Sequence, residues 1–488
     1  MFAYCRNAIL VFAIFTLSLS AQTLEERVRT LEEQNRQLIQ QNQRLTSSHN
    51  QVLDRLSTTE RNNQALVERI ERREGHEDNR LETMLKGLED MIESEGGGSA
   101  SASSYGRDYL TRYDLTRSGS KLQFYGRLRL DLYHNTARFD RAIDPRWVRP
   151  EDGINASEDD DAFALDSRNT TIGLNYDFGP IAGTRRTAAK VEFDFGGFSS
   201  ETESRAGARL LLAYIDLNFG SWSLRFGQDW DVISPYDPIV DQHRHLWDTG
   251  NLGDRRPMIQ AAYHGGSRRG IEYDFRVALG TTGAVNAEDA DTGFGTFLTT
   301  ELDGVDSGIP HLQVAASITV DSWVRGDRMT IGLSGLIARL ETDTRLNGER
   351  HFDSWMLGVD FFIPIFAGVH LKGEAFIGSA LGDWRGGIGQ SINRSTGDEI
   401  DTMGGFAELF WQATKRFGIG VGASIDNPEF DDLEVASRAS NWTAYVATRY
   451  DLGGGLQLGL DAIFWKTQYV GREDGDAWRF NAFIEIGF

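Results

Sequence analysis

The chain has 488 residues, of which 40% are hydrophobic and 25% charged, and its formal net charge is −22 at pH 7. This composition is too polar for a bundle of membrane-spanning helices, so any passage through a membrane must come from strands. The negative charge argues against nucleic acid as a partner. The only cysteine, Cys5, lies before the first apolar run, and we expect neither a disulfide nor thiol chemistry in the exported protein.

Residues 1–21 have the features of a secretory signal peptide. An apolar run from Ala8 to Leu19 follows the basic Arg6 and ends in small residues suited to cleavage. The run is roughly a dozen residues long, whereas a spanning helix needs about 20. We therefore expect export from the cytoplasm.

Residues 22–95 predict an α-helical coiled coil. From Leu24 to Ile92, apolar residues recur at alternating steps of four and three, which is a heptad repeat. Because so long an apolar stripe would be exposed on a single helix, we expect self-association. Residues 96–120 follow as a linker, which begins with the Gly- and Ser-rich stretch 96–104 and is therefore expected to be flexible.

From residue 121 to residue 488 the hydrophobic period changes to two, which is typical of β-strands. The fold class that this indicates is an all-β transmembrane barrel of about 16 antiparallel strands, preceded by the α-helical coiled coil. The strands are predicted near residues 121–133, 167–178, 187–196, 209–219, 222–228, 257–264, 269–279, 311–320, 327–339, 352–363, 367–377, 402–412, 416–424, 438–450, 455–465 and 477–488.

The lengths of the connections support the barrel, because such barrels alternate short periplasmic turns with long outer loops. Long connections follow odd-numbered strands, at 134–166, 229–256, 280–310 and 378–401. The coiled coil is then expected in the periplasm. Tryptophans near strand ends are predicted to form interfacial girdles on the outer face, namely Trp222, Trp323, Trp355, Trp411, Trp442, Trp465 and Trp478.

The candidate constriction of the pore is the third outer loop, residues 229–256, whose start is stiffened by two prolines. The residues that we assign to it are Asp229, Asp231, Asp237, Asp241, His243 and His245. The alternative is a surface lid. His243 and His245 have no convincing third ligand, so no metal site and no cofactor are predicted.

Basic residues are the candidates for lining the pore and binding solute, since alternation places many of them on the inner face. The assigned residues are Arg127, Arg129, Lys190, Arg225, Arg244, Arg255, Arg256 and Arg276. Arg127, Arg129 and Arg225, joined by Arg255 and Arg256, could form a basic ladder that holds carboxylates by paired hydrogen bonds. The alternative is a field of salt-bridged lumen charges with little preference.

The whole pattern resembles trimeric Gram-negative porins, and it is most similar to the DcaP-like family, whose members carry an N-terminal periplasmic coiled coil. The stretches that carry the resemblance are FYGRLRLDLY at 124–133, LLLAYIDLNFGSWSLRFGQDWDVISP at 210–235 and GDRRPMIQAAY at 253–263. The phosphate-selective porins are similar in architecture.

The resemblance implies a homotrimer in the outer membrane that passes small anionic solutes, such as dicarboxylates, by passive diffusion. A phosphate-selective or general porin is the alternative. A second alternative is an envelope tether in which the coiled coil binds peptidoglycan or a periplasmic protein. No catalysis is predicted, because no grouping of serine or carboxylate with histidine is readable on one face.

Overall fold

The computed structural model describes residues 114–117, 120–152, 161–197, 207–241, 244–266, 270–282 and 307–488, together with positions 29 and 36. Apart from those two positions, the predicted signal peptide, coiled coil and most of the linker lie outside the described residues. No helix in the described part of the chain is long and apolar enough to cross a membrane.

Residues 101–488 form one compact unit built on strands. The strands are β1 Asp114–Arg117, β2 Ser120–Asn135, β3 Ala162–Asp166, β4 Thr171–Gly179, β5 Arg186–Gly197, β6 Gly207–Asn218, β7 Trp222–Trp230, β8 Arg255–Gly266, β9 Glu272–Gly280, β10 His311–Asp321, β11 Arg328–Leu346, β12 Glu349–Phe366, β13 Val369–Ser379, β14 Ile392–Asn393, β15 Asp398–Glu399, β16 Asp401–Gln412, β17 Phe417–Pro428, β18 Arg438–Gly453, β19 Leu456–Tyr469 and β20 Gly475–Gly487. In the part of the chain that the structure describes, three short 3-10 helices lie at Gly382–Trp384, Gly387–Gly389 and Phe430–Asp432.

The wall is a closed antiparallel barrel of sixteen strands. Each strand pairs with its neighbours in sequence, and β2 pairs with β20 from Arg127↔Gly487 to Asn135↔Arg479, which closes the sheet. β3 and β4 both pair with β2 and form one interrupted wall strand, while β1 is a short partner of β2 and β14 pairs only with β15. The prediction of about 16 antiparallel strands is confirmed. Closure leaves the wall without a free edge.

The second wall strand begins earlier than its predicted start near residue 167. β3 already pairs with β2 from Ala162, and a turn over 167–170 then interrupts the ladder before β4. Within this turn Thr170 N donates to Ser167 O at 3.0 Å, and Asn169 Nδ2 donates to Asp131 Oδ2 at 2.9 Å. The contact of Asn169 with the inner face of β2 cannot be predicted from the alternation of apolar and polar residues.

The outer face is apolar and the inner face is polar. On β2, Leu128, Leu130 and Leu132 are exposed on the outside, whereas Arg129 and Asp131 between them are buried inside. The same alternation recurs around the wall, and it is the pattern of a barrel that meets lipid on the outside.

The prediction of an aromatic girdle is wrong for one tryptophan, Trp465. Trp465 is fully buried inside the barrel, where its ring lies 5.4 Å from that of Phe139 and its Nε1 donates to Asn441 Oδ1 at 2.7 Å. It lies on β19 four residues from the inward-facing Asp461, so the two side chains share a face. By contrast, Trp222, Trp323, Trp355, Trp411 and Trp478 are exposed on the outer face.

The apolar core lies inside the lumen rather than between two sheets. Three outer loops fold inward in the parts that the structure describes: residues 136–152, residues 231–241 with 244–254, and residues 380–400. Phe139 and Val148 of the first loop pack with Val240 and Leu246 of the second in one buried cluster. This cluster fills part of the lumen and leaves the remainder for a channel.

Candidate functional site

Residues 231–241 and 244–254, hereafter the constriction loop, extend across the lumen to the wall opposite β7 and β8. Six wall side chains hydrogen-bond to the segment 232–239: Gln313, Ser334, Lys372, Glu374, Glu408 and Arg449. Lys372 Nζ donates to Asp237 O at 2.6 Å, and Glu408 Oε2 accepts from Ile239 N at 2.8 Å. Lys372 lies only three residues from the start of β13, about 10 Å at 3.3 Å per residue. The loop therefore penetrates deep into the barrel.

A cavity of about 720 Å³ lies beside the constriction loop, and the wall around it is formed by residues of β2, β4–β9, β13, β16, β18 and β19. Asp194 and Arg209 line it near the end of the barrel that carries the long loops. Ser223 and Gln457 line it near the opposite end, where the turns are short. The cavity therefore extends along the barrel past the constriction loop, as a narrowed pore does.

The cavity lining carries more positive than negative charge, although the whole chain has a net charge of −22. The basic side chains in the lining are Arg127, Lys190, Arg209, Arg225, Arg255, Arg276, Lys372 and Arg449. The acidic side chains are Glu192, Asp194, Asp229, Asp231, Asp237 and Glu408. Among the described residues of the lining, eight cations against six anions leave an excess of two positive charges, with the histidines taken as neutral.

Comparison with solved structures shows that this barrel is similar in fold to outer-membrane channels. The outer membrane channel DcaP of Acinetobacter baumannii aligns with a TM-score of 0.58 at 14% identity, over 78% of this chain and 100% of that chain. OmpT of Vibrio cholerae aligns with a TM-score of 0.47 at 10% identity, over 77% and 99%. An anion-selective porin from Comamonas acidovorans aligns with a TM-score of 0.46 at 12% identity, over 76% and 100%.

The chain has a porin fold. The comparison with DcaP carries this conclusion together with the closed sixteen-stranded wall. No protein-family model and no curated protein sequence matches the chain.

Five of the eight predicted basic residues line the cavity of this porin barrel: Arg127, Lys190, Arg225, Arg255 and Arg276. The other three do not, because each is buried in an ion pair. Arg129 binds Asp131 at 2.7 Å and Glu485 at 3.0 Å. Arg256 binds Asp231 at 2.7 Å. These residues stabilise the wall and the loop behind the lining.

Arg244 is the third predicted basic residue that is buried in an ion pair, and it links the constriction loop to the first outer loop. Its guanidinium lies 3.0 Å from Asp248 and 3.3 Å from Asp144. Although burial by itself would lower the pKa of Arg244, the two carboxylates raise it, so the guanidinium stays charged. The predicted basic ladder is therefore divided between cations that line the cavity and cations buried in ion pairs behind the lining.

The acidic residues and histidines assigned to the constriction are likewise divided. Asp229, Asp231, Asp237 and His245 line the cavity, while His243 lies outside the described residues. Asp241 is buried, and burial raises the pKa of its carboxyl to about 7, against the opposing effect of Arg479 and Arg244. Within the described residues, no group of three or more histidine, cysteine, aspartate or glutamate side chains is arranged to hold a metal.

Three lining cations are only loosely paired with carboxylates. Arg127 lies 3.8 Å from Glu485, Lys190 lies 3.5 Å from Glu192, and Arg255 lies 3.7 Å from Asp254. Other lining cations form closer ion pairs. Arg209 lies 2.5 Å from Asp194, and Arg449 pairs with Asp461. A loosely paired cation keeps donors for a passing anion, so these three are the strongest candidates for binding solute.

Arg209 lines the cavity, although its position on β6, an odd number of residues from Asp216, predicts that it faces outward. Asp216 faces inward, and strict alternation from Asp216 would turn Arg209 outward. The pairing of β5 with β6 shifts register between Glu192 and Phe193, which leaves Leu211 as an extra residue. A bulge of this kind reverses the faces of every residue beyond it, and period-two reasoning cannot detect it.

Proposed function

We propose that the protein is an outer-membrane porin that allows passive diffusion of small hydrophilic solutes and prefers anions, dicarboxylates among them. The observation that carries this proposal is the positive excess in the cavity lining of a chain that is otherwise strongly acidic. In a narrow, partly desolvated passage, local charge governs which ions enter, and the distant acidic surface is screened within about 10 Å at 0.1 M salt.

The arrangement of Arg127, Lys190 and Arg255 supports a preference for carboxylates. They come from three different strands around one cavity, so a solute with two carboxylates can bind two of them during passage. Arginine presents a planar fork of donors that matches a carboxylate. Aromatic rings help to hold two of these cations in place, since Arg255 lies 4.6 Å from the ring centroid of Trp230 and Lys190 lies 5.2 Å from that of Tyr125.

Liposome swelling with the purified full-length protein tests this proposal. Succinate is expected to enter faster than a neutral sugar of similar size, and replacement of Arg127, Lys190 and Arg255 by alanine should slow succinate while the rate for the sugar is maintained. Arg416→Ala, which removes an exposed charge from a short turn away from the cavity, serves as the control.

Two results would redirect the proposal. Phosphate entering faster than succinate would favour the phosphate-selective alternative. Equal rates for succinate and the sugar, unaffected by the triple replacement, would leave a general porin.

The N-terminal region adds a proposal of its own, namely that residues 22–95 form a periplasmic coiled coil, delivered by the signal peptide at 1–21. The pairing of β1 with the start of β2 supports this, because β1 lies near the short-turn end of the barrel. If the coil tethers the outer membrane to peptidoglycan or a periplasmic protein, deleting residues 24–95 should weaken the envelope and leave conductance intact. The homotrimer stays a prediction, to be tested by cross-linking.

A further inference from the structure

We infer that Arg385, a residue outside the cavity lining, positions Arg255 so that Arg255 can bind solute anions. The inference rests on the proposed anion preference and adds a residue to it. Arg385 follows the 3-10 helix Gly382–Trp384 in the inward-folded loop 380–400, and no pattern in the sequence distinguishes it.

Arg385 and Arg255 share one carboxylate unequally. Arg385 donates to Asp254 Oδ2 from Nη2 at 2.6 Å and from Nε at 2.9 Å. Arg255 Nε lies 3.7 Å from the other oxygen, Asp254 Oδ1, which instead accepts from Arg255 N at 2.7 Å. Among the described residues, the guanidinium of Arg255 donates no hydrogen bond to the protein. Arg385 thus holds Asp254 away from a close pair with Arg255.

Two tryptophans hold the Arg255 guanidinium without using its donors. Its Cζ lies 4.6 Å from the ring centroid of Trp230 and 5.6 Å from that of Trp247. Arg385 Cζ lies 4.7 Å from the Trp247 ring. A guanidinium that contacts an aromatic face keeps its in-plane N–H groups free to donate. Arg255 is therefore held in place by rings and retains donors that are available to the cavity.

The main chain around Arg385 is fixed in turn to the constriction loop. Asp248 N donates to Arg385 O at 2.9 Å, and Gly253 N donates to Trp384 O at 2.9 Å. Arg385 itself has φ +68°, in the left-handed region that non-glycine residues adopt rarely. The backbone is thus held from two sides, and this directs the Arg385 side chain onto Asp254 rather than into the channel.

Removal of the Arg385 guanidinium should release Asp254 towards Arg255. A close Asp254–Arg255 pair would occupy the fork that a solute carboxylate would otherwise bind. The expected consequence is a loss of anion preference even though Arg385 does not line the cavity. A residue that contributed only to folding would leave the preference of the folded channels unchanged.

The test is a double-mutant cycle on the reversal potential in planar bilayers under a KCl gradient, with Arg255→Gln, Arg385→Gln and the double variant of the full-length protein. Each single variant is expected to shift the reversal potential towards zero by a comparable amount. The double variant is expected to match Arg255→Gln, because Arg385 acts through Arg255. Arg339→Gln, on the outer surface near the same end of the barrel, should leave the potential unchanged.

The outcomes separate the two claims. If Arg255→Gln leaves the reversal potential unchanged, the proposed role of Arg255 in anion preference is wrong. If Arg255→Gln shifts the potential and Arg385→Gln does not, or if the two shifts add in the double variant, the positioning role of Arg385 is wrong. Should Arg385→Gln fail to fold, Arg385→Lys replaces it in the cycle. Lysine keeps the charge without the fork, so a shift with Arg385→Lys supports positioning and its absence overturns it.

Discussion

Replacement of Glu408 by alanine should loosen the constriction loop while the barrel remains folded. The buried Glu408 carboxylate accepts from Ile239 N of the loop at 2.8 Å and from the Tyr445 hydroxyl at 3.1 Å, and it lies 3.1 Å from Lys372 Nζ. A hydrogen bond to a charged group contributes about 1.5–3 kcal/mol. Loss of the bond to Ile239 alone should weaken docking of the loop by roughly 10- to 100-fold, since about 1.4 kcal/mol corresponds to a factor of ten.

Single-channel recording in planar bilayers measures this effect as increased current noise and a larger mean conductance. Glu192→Ala is a matched control, because Glu192 also lines the cavity and also pairs with a tyrosine hydroxyl, that of Tyr125 at 2.6 Å, and with Lys190. It makes no hydrogen bond to the constriction loop among the described residues. Equal noise in the two variants would refute the idea that the wall carboxylate holds the loop.

Three further predictions concern stability. Gly250→Ala should lower the melting temperature, corresponding to about 1–3 kcal/mol, because an added Cβ would lie 2.4 and 2.6 Å from wall carbonyl oxygens at a φ of +116°; an unchanged melting temperature would contradict the close approach. In the wild type, the raised pKa of Asp241 should make stability fall as pH rises from about 4 to about 7, by up to about 1.4 kcal/mol per pH unit, because the folded state binds the proton more tightly. Asp241→Asn should make that slope shallower in melts at several pH values, and an unchanged slope would refute the assignment. Trp465→Ala should cost about 3–5 kcal/mol by denaturant titration, and the lipid-facing Trp411→Ala distinctly less; equal losses would contradict the burial of Trp465.

The wall could be predicted from the sequence because apolar residues of the outer face alternate with polar residues of the inner face along each strand. Leu128 and Leu130 alternate with Arg129 and Asp131, and a sheet turned inside out would expose two charges to lipid. The same parity would have assigned Trp465 to the lumen together with Asp461, four residues before it. The aromatic-girdle rule gave the wrong answer there because it uses position along the strand and ignores the face.

The division of the basic residues could not be predicted, because it depends on partners far away in the chain. Arg127 and Arg129 face the same way on one strand, yet Arg129 is buried by Asp131 and by Glu485 of the last strand, whereas Arg127 lines the cavity. The inward-folded loops have no repeating hydrophobic pattern from which their contacts could be predicted. The pairing of Arg385 with Asp254 joins two such loops, and only the folded barrel brings them together.

The reversal potential of the wild-type channel under a tenfold KCl gradient tests the central claim most directly. An excess of positive charge in the lining predicts a potential with the sign of chloride preference, diminishing as the salt concentration is raised because screening shortens the range of the lining charges. A potential with the sign of potassium preference would contradict the account, because it would mean that the acidic loops rather than the lining cations govern passage.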